Sequence, residues 1–259
     1  KKTLTWAHDG ITTLERQILI PMFSESPIEL GITGHEAKVL ARFDTEAYQA
    51  LFTQAFGDEP LSFELIVKAL ASYVRSLISL NSPFDRYAYL GDDDAISASA
   101  IRGMDLFFSE RLECHHCHGG FNFTQSTGHE QQLLDRRPFH NTGLYNVAQT
   151  QGISGYPAND IGLGEISTLA KDNGRFRAPT LRNINQSAPY MHDGRFNTLE
   201  EVVDHYNEGI KSSSTVDPAI LNTVDGLKLT AEDKVDLVNF LKTMTDNDLL
   251  TNPEFASPF

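Results

Sequence analysis

Residues 114–118 read Cys-His-His-Cys-His, and they use both cysteines in the chain, Cys114 and Cys117. The stretch admits three chemistries. A dithiol redox motif opens a helix in a βαβ setting, and no strand pattern precedes this one. A structural zinc site needs four closed ligands, and no second Cys or His pair stands at ligand spacing from His115, His116 and His118. C-x-x-C-H is also the covalent attachment pattern of a c-type haem: two thiols add to the haem vinyl groups, and the adjacent His ligates iron. The third reading needs nothing the sequence lacks. It makes Cys114 and Cys117 thioether anchors and His118 the proximal ligand, with His115 and His116 as variable positions facing solvent.

Working outward from the motif, the apolar pattern is helical almost throughout and shows no sustained period-two alternation, so the fold class is all-α. Helices on either side of a haem motif are what a cytochrome c-like domain with long loops needs. FDTEAYQALFTQAFG places Tyr48, Leu51, Phe52 and Ala55 at helical spacing and ends on Gly57. SFELIVKALASYVRSLISL has Ser62 as N-cap and Ile66, Leu70, Val74 and Leu77 on one stripe. AISASAIRGMDLFF carries Ile101, Met104 and Phe108 on one face and runs into the motif. Thr198 with Glu201, and Thr230 with Asp233, open two later helices, the first aligning Leu199, Val202 and Tyr206 and the second Leu237, Leu241 and Met244. Residues 119–180 are rich in Gly, Asn, Thr and Ser and read as a long loop that a cofactor or partner would order.

Pro, Gly and three aspartates in NSPFDRYAYLGDDD mark a boundary. The expected division is 1–88 as a partial N-terminal cytochrome c-like domain, 89–247 as a C-terminal haem domain and 248–259 as a patternless tail. The 259 residues carry a net charge of −14, which disfavours nucleic acid and anionic membrane surfaces as partners. No apolar run reaches the roughly 18 residues of a membrane span. The start, KKTLTWAHDG, lacks an initiator Met, so the chain is expected to begin after processing or in mid-protein.

Several segments carry a family resemblance: WAHDGITTLERQILIPMFSESPIELG, KALASYVRSLISLNSPFDRY, GMDLFFSERLECHHCHGGFNF, HNTGLYN and FRAPTLRNINQSAPYMHDGRFNTLEEVVDHY. In their order and over most of the chain they resemble the bacterial di-haem cytochrome c peroxidase superfamily, most closely its MauG and MbnH type. The resemblance implies two haem domains, each with its own C-x-x-C-H. This chain holds the second motif, and the first is expected upstream of residue 1. It also implies a pocket for the peroxide-reacting haem in which Glu29 is the acid, Gln17 and Pro21 are its neighbours, and Trp6 relays electrons between the haems. WAHDG and PMFSESPIELG are longer than the common family forms.

For the sixth position on the second haem the sequence offers Met191, His192 and Tyr206. The resemblance favours Tyr206, which matches the place where the peroxidases carry Met and MauG a ligating Tyr. An anionic phenolate favours oxidised iron, whereas methionine favours the reduced form. The implied activity is therefore H2O2-driven oxidation of a residue, Trp by expectation, on a partner protein. The MbnH branch implies a copper-binding MbnP-like partner. Two rivals remain: a peroxidase fed by a small cytochrome, and a mono-haem electron carrier. The resemblance further implies calcium held by the backbone carbonyls of Ser187 and Pro189, an oxygen-only site. Extracytoplasmic haem attachment implies a periplasmic protein.

Overall fold

The computed structural model describes residues 11–26, 28–127, 138–145, 161–221 and 226–257. The chain divides into two compact units, Lys1–Ile78 and Ser79–Phe259.

The N-terminal unit contains α1 (Leu14–Phe23), α2 (Glu36–Phe43), α3 (Glu46–Phe56) and α4 (Phe63–Ser76). Hydroxyl caps start three of them: Thr13, Thr45 and Ser62 each accept a backbone N–H from the first turn. Gly57, at φ 73°, ends α3 in a conformation that a side chain would resist. Met22, Ile32, Ile66 and Val67 form a small core, with Phe23, Phe52 and Phe63 packed against it. The buried face of α4 is Leu65, Ile66, Val67 and Ala71. This corrects the expected stripe, because Leu70, Val74 and Leu77 are 42%, 46% and 41% exposed. Leu51 is likewise exposed on α3, where Phe52 turns inward. Helical spacing finds an apolar stripe but does not say which stripe the neighbouring helix covers.

The C-terminal unit begins earlier than the expected 88/89 boundary because the supposed linker is itself a capped helix, α5 (Pro83–Leu90). Ser82 and Asp85 form its capping box, and Gly91 ends it in the left-handed region. Phe84 enters the core of this unit. The buried Asp85 carboxylate is clamped by both terminal nitrogens of Arg182, at 2.9 and 3.0 Å. A bidentate ion pair of this kind is costly to break, since either charge left alone would be buried without a partner.

Next come α6 (Ala98–Phe107), α7 (His115–His118), α8 (Leu163–Ser167), α9 (Leu199–Asp204), a π-helical turn over His205–Gly209, α10 (Pro218–Leu221), α11 (Ala231–Lys242) and α12 (Asn247–Thr251). Among the described residues the sheet content is one two-residue antiparallel ladder, β1 (Phe139–His140) with β2 (Phe176–Arg177), plus isolated bridges. Among the described residues, helices, turns and loops make up the remainder.

The pair α6–α11 is the spine of the unit. Its closeness depends on Gly103: a Cβ there would lie 2.0 Å from the Asp236 carbonyl oxygen and 2.9 Å from Phe240 Cβ. The face of α6 that packs is therefore Ala100, Gly103 and Phe107, and the expected face of Ile101, Met104 and Phe108 is displaced by this contact. Leu237, Leu241 and Met244 are all buried, as their alignment on α11 implies. The segment after Asp246 is not patternless. The Asp246 carboxylate caps α12 through the Leu249 N–H and also receives the Asn81 N–H, a long-range tie that no local pattern announces.

Candidate functional site: a covalent haem anchor

The turn that leads into α7 delivers the motif in a defined posture. The N–H groups of Cys117 and His118 both donate to the Cys114 carbonyl, winding Cys114, Cys117 and His118 into one helical turn. Gly119 must follow, because a Cβ there would meet the His115 carbonyl oxygen at 2.4 Å.

His118 is held by its Nδ1, which donates to the carbonyl oxygens of Pro179, at 3.1 Å, and Phe123, at 3.3 Å. Carbonyls only accept, so the proton sits on Nδ1 and Nε2 keeps its lone pair. Burial pushes the ring's pKa down to about 4, against the two carbonyl bonds that favour its charged form. The imidazole is thus neutral and in the tautomer a metal ligand needs. Burial likewise pushes the Cys114 thiol up to about 12.

Tyr206 stands in the π-helical turn, a local widening that frequently marks functional sites. It packs on Ile210, Val216 and Ile220. Burial raises its phenol pKa, and the nearby Cys117 and Cys114 raise it further, so the side chain lies within electrostatic reach of both anchors. The other two candidates for the sixth position behave differently. His192 is stacked on Phe176 at 3.8 Å between ring centroids, and Met191 sits at φ 69° in the turn that follows the Tyr190 bridge.

These residues fit a covalent haem and not the alternatives. Both cysteines are free thiols, as addition to haem vinyl groups requires. Among the described residues, the one His/Cys/Asp/Glu group with ligand atoms close enough for a shared ion is Glu110, His115 and His116, which includes neither cysteine. Two thiols on one turn beside a tautomer-locked histidine are the donor set of c-type attachment. His116 is exposed, as expected of a variable position. His115 is not: it is partly buried, with Nδ1 enclosed.

Sequence reasoning missed the pair behind the anchor. His140 is buried, its Nδ1 lying 2.7 Å from Asp217 Oδ2 and 3.5 Å from Cys117 Sγ. Burial alone would lower its pKa, but the Asp217 contact and Cys117 outweigh it and bring it up to about 9. His140 begins the HNTGLYN segment, which was the available signal; Asp217 had none, being far away in sequence.

In the N-terminal unit, Gln17 and Pro21 lie one turn apart on α1, and Gln17 Oε1 is buried without a hydrogen-bond partner. The Leu30 N–H donates to the Pro21 carbonyl at 3.0 Å, which stitches the loop bearing Glu29 to α1. Glu29 itself is exposed, and Trp6 lies outside the described residues. Ser187 and Pro189 are exposed on the segment after a short 3-10 turn at Ile184–Gln186.

Comparison with known proteins finds haem enzymes. A family profile described as di-haem cytochrome c peroxidase matches residues 1–94. A solved structure of a MauG-like protein associated with microbial copper homeostasis is 40% identical with a TM-score of 0.87, covering 99% of this chain and 75% of that one. The methylamine utilization protein MauG of Methylophilus methylotrophus is 32% identical over 93% of this chain, and the cytochrome-c peroxidase IdrP1 of Pseudomonas sp. (strain SCT) is 35% identical over 96%. The chain spans 63% and 66% of the lengths of those two relatives. The shared class is that of haem peroxidases and related oxidoreductases. The chain belongs to the di-haem cytochrome c peroxidase superfamily.

Proposed function

We propose that this chain is part of a di-haem oxidoreductase that uses H2O2 to oxidise a side chain, Trp by preference, on a partner protein. The observation that carries this reading is Tyr206, partly buried in a π-helical turn within electrostatic reach of Cys114 and Cys117. A haem attached at Cys114 and Cys117 supplies the redox chemistry.

The chain's own groups divide the remaining work. The Pro179 and Phe123 carbonyls keep the His118 proton on Nδ1 and leave Nε2 for iron. Tyr206 would offer its phenol oxygen as the second protein donor, and its phenol would have to lose a proton to do so, which desolvation makes unfavourable without a cation. As an anionic ligand it disfavours the reduced metal and so disfavours simple electron storage. Glu29 would move a proton for a second, peroxide-reacting haem, Gln17 and Pro21 would line its pocket, and Trp6 would couple the two haems. The carbonyls of Ser187 and Pro189 contribute to a calcium site. The place of action is the periplasm, and the partner is a copper-binding MbnP-like protein. The copper association of the MauG-like structure supports that choice.

The test uses haem-loaded protein, H2O2 and such a partner, with the partner's Trp-containing peptides followed by mass. Wild-type protein is expected to change the mass of one Trp, and Tyr206→Met to raise the haem reduction potential and abolish the change. Wild-type protein that leaves the partner intact but rapidly oxidises a small reduced cytochrome would establish the second reading, a cytochrome c peroxidase, which the IdrP1 match favours.

A further inference from the structure

The haem reading uses Cys114, Cys117 and His118 and leaves the other half of the motif without a task. His115 and His116 occupy the two positions between the cysteines, and neighbouring residues on a helical turn do not ordinarily face one another. Here their rings lie 4.3 Å apart, centroid to centroid. Glu110, in the turn between α6 and α7, completes a group of three in which one ligand atom from each residue lies within 4.8 Å of the others.

Two further observations point to a missing partner at this spot. His115 Nδ1 is enclosed by protein and has no hydrogen-bond partner among the described residues, although a buried ring nitrogen ordinarily finds one. Glu113, which precedes the motif, holds a positive φ of 52°, a conformation that non-glycine residues adopt rarely. Its carboxylate lies 3.6 Å from His116 Nδ1, where it would orient the ring of a ligating histidine from behind.

We propose that Glu110, His115 and His116 form a second metal site, separate from the haem iron, that takes a borderline divalent transition-metal ion. Two imidazoles and one carboxylate suit Zn(II) and Cu(II), leave open positions for water, and rank Cu(II) above Zn(II) by intrinsic affinity. Calcium and magnesium are disfavoured, since they require oxygen donors throughout. Ligand atoms around a tetrahedral ion at about 2.1 Å stand about 3.4 Å apart, so the present group must close by roughly an ångström. Glu110 and His116 are exposed and have the freedom to do this, while His115, partly buried, provides the fixed point. The inference does not depend on the oxidation chemistry proposed above.

The experiment is a titration of chelator-stripped, haem-loaded protein with Zn(II), read by calorimetry and by bound metal per chain. Cu(II) loading follows, read by electron paramagnetic resonance. One equivalent of Zn(II) is expected, together with Cu(II) hyperfine coupling to two nitrogens. His116→Gln and Glu110→Gln should each weaken Zn(II) at least tenfold, and His116→Gln should reduce the coupling to one nitrogen. Haem content by intact mass accompanies each variant. Glu110→Gln lies outside the attachment motif, so it keeps the test valid if His116→Gln fails to load haem. Absence of stoichiometric Zn(II) uptake would overturn the site. So would unchanged affinity in Glu110→Gln, which would place the metal elsewhere among the nine histidines.

Discussion

The two units solve the same problem, burying helix faces, to very different depths. The C-terminal unit closes α6 on α11 at backbone distance, and its core runs from Phe84 through Phe123 and Phe240 to Met244, each 5% exposed or less. The N-terminal unit buries four residues in its core cluster and leaves Leu70, Tyr73, Val74, Leu77 and Ile78 of the α4 region between 41% and 60% exposed. The haem anchor is set in the well-packed unit. Its histidine is pinned by carbonyls from Phe123, inside that core, and Pro179, so ligand geometry is inherited from packing. The residues assigned by resemblance to a peroxide pocket lie in the sparser unit, with the carboxylate of Glu29 exposed.

The contrast can be broken most severely at the anchor. Cys114→Ser combined with Cys117→Ser should abolish covalent haem on this chain, read as the loss of one haem from the intact mass; retention would refute the attachment. The contact between α6 and α11 can be broken by Gly103→Ala. The added Cβ meets Asp236 backbone, not a movable side chain, so α6 and α11 must part. A loss of about 3 kcal/mol is expected by urea denaturation, at the upper end of overpacking effects.

A matched pair sharpens the comparison between the units. Phe240→Ala, at 0% exposure, should cost about 3–5 kcal/mol. Leu70→Ala, at 42% exposure, should stay within about 0.5 kcal/mol. Equal effects would mean that the two units are packed alike.

The smallest effect expected is on pH dependence. His140 binds its proton more tightly when folded, with a pKa of about 9 against an ordinary 6.5. Its contribution is therefore fully present below pH 6.5 and fades as pH rises through about 9. Asp217, held below its ordinary 3.8 by the His140 contact, contributes above that value and loses its share as pH falls. Thioether formation removes any charge from Cys117, so Asp217 remains the partner that sustains the shift. Denaturation midpoints of wild type and His140→Gln should converge between pH 6.5 and 9, with the variant showing the flatter alkaline limb.

Reading the sequence reached some elements and not others for identifiable reasons. The capping boxes at Thr198 and Thr230 and the buried row Leu237, Leu241 and Met244 are local patterns, and local patterns survive folding. The stripes on α4 and α6 did not survive, because two stripes of similar apolarity compete and the partner helix chooses. On α6 it chose the one with Gly103, where the least side chain permits the closest approach. The linker that proved to be α5 looked like punctuation because Pro83 and Gly91 are turn residues, yet they sit at the first position and the end of a helix, where each is at home.

The sequence by itself determined the helical class and the capped starts at Ser62, Thr198 and Thr230, and it carries the proposal of a haem anchor at Cys114, Cys117 and His118. Those follow from residue type at short spacing, and covalent attachment needs only two thiols and an imidazole on one turn. Tertiary structure alone decided which nitrogen of His118 is free, which acid stands behind His140, and that Tyr206 comes within electrostatic reach of Cys114 and Cys117. The Pro179 carbonyl, Asp217 and Tyr206 all reach the motif across tens of residues of chain, where burial and hydrogen bonding set protonation and no local pattern records the arrangement.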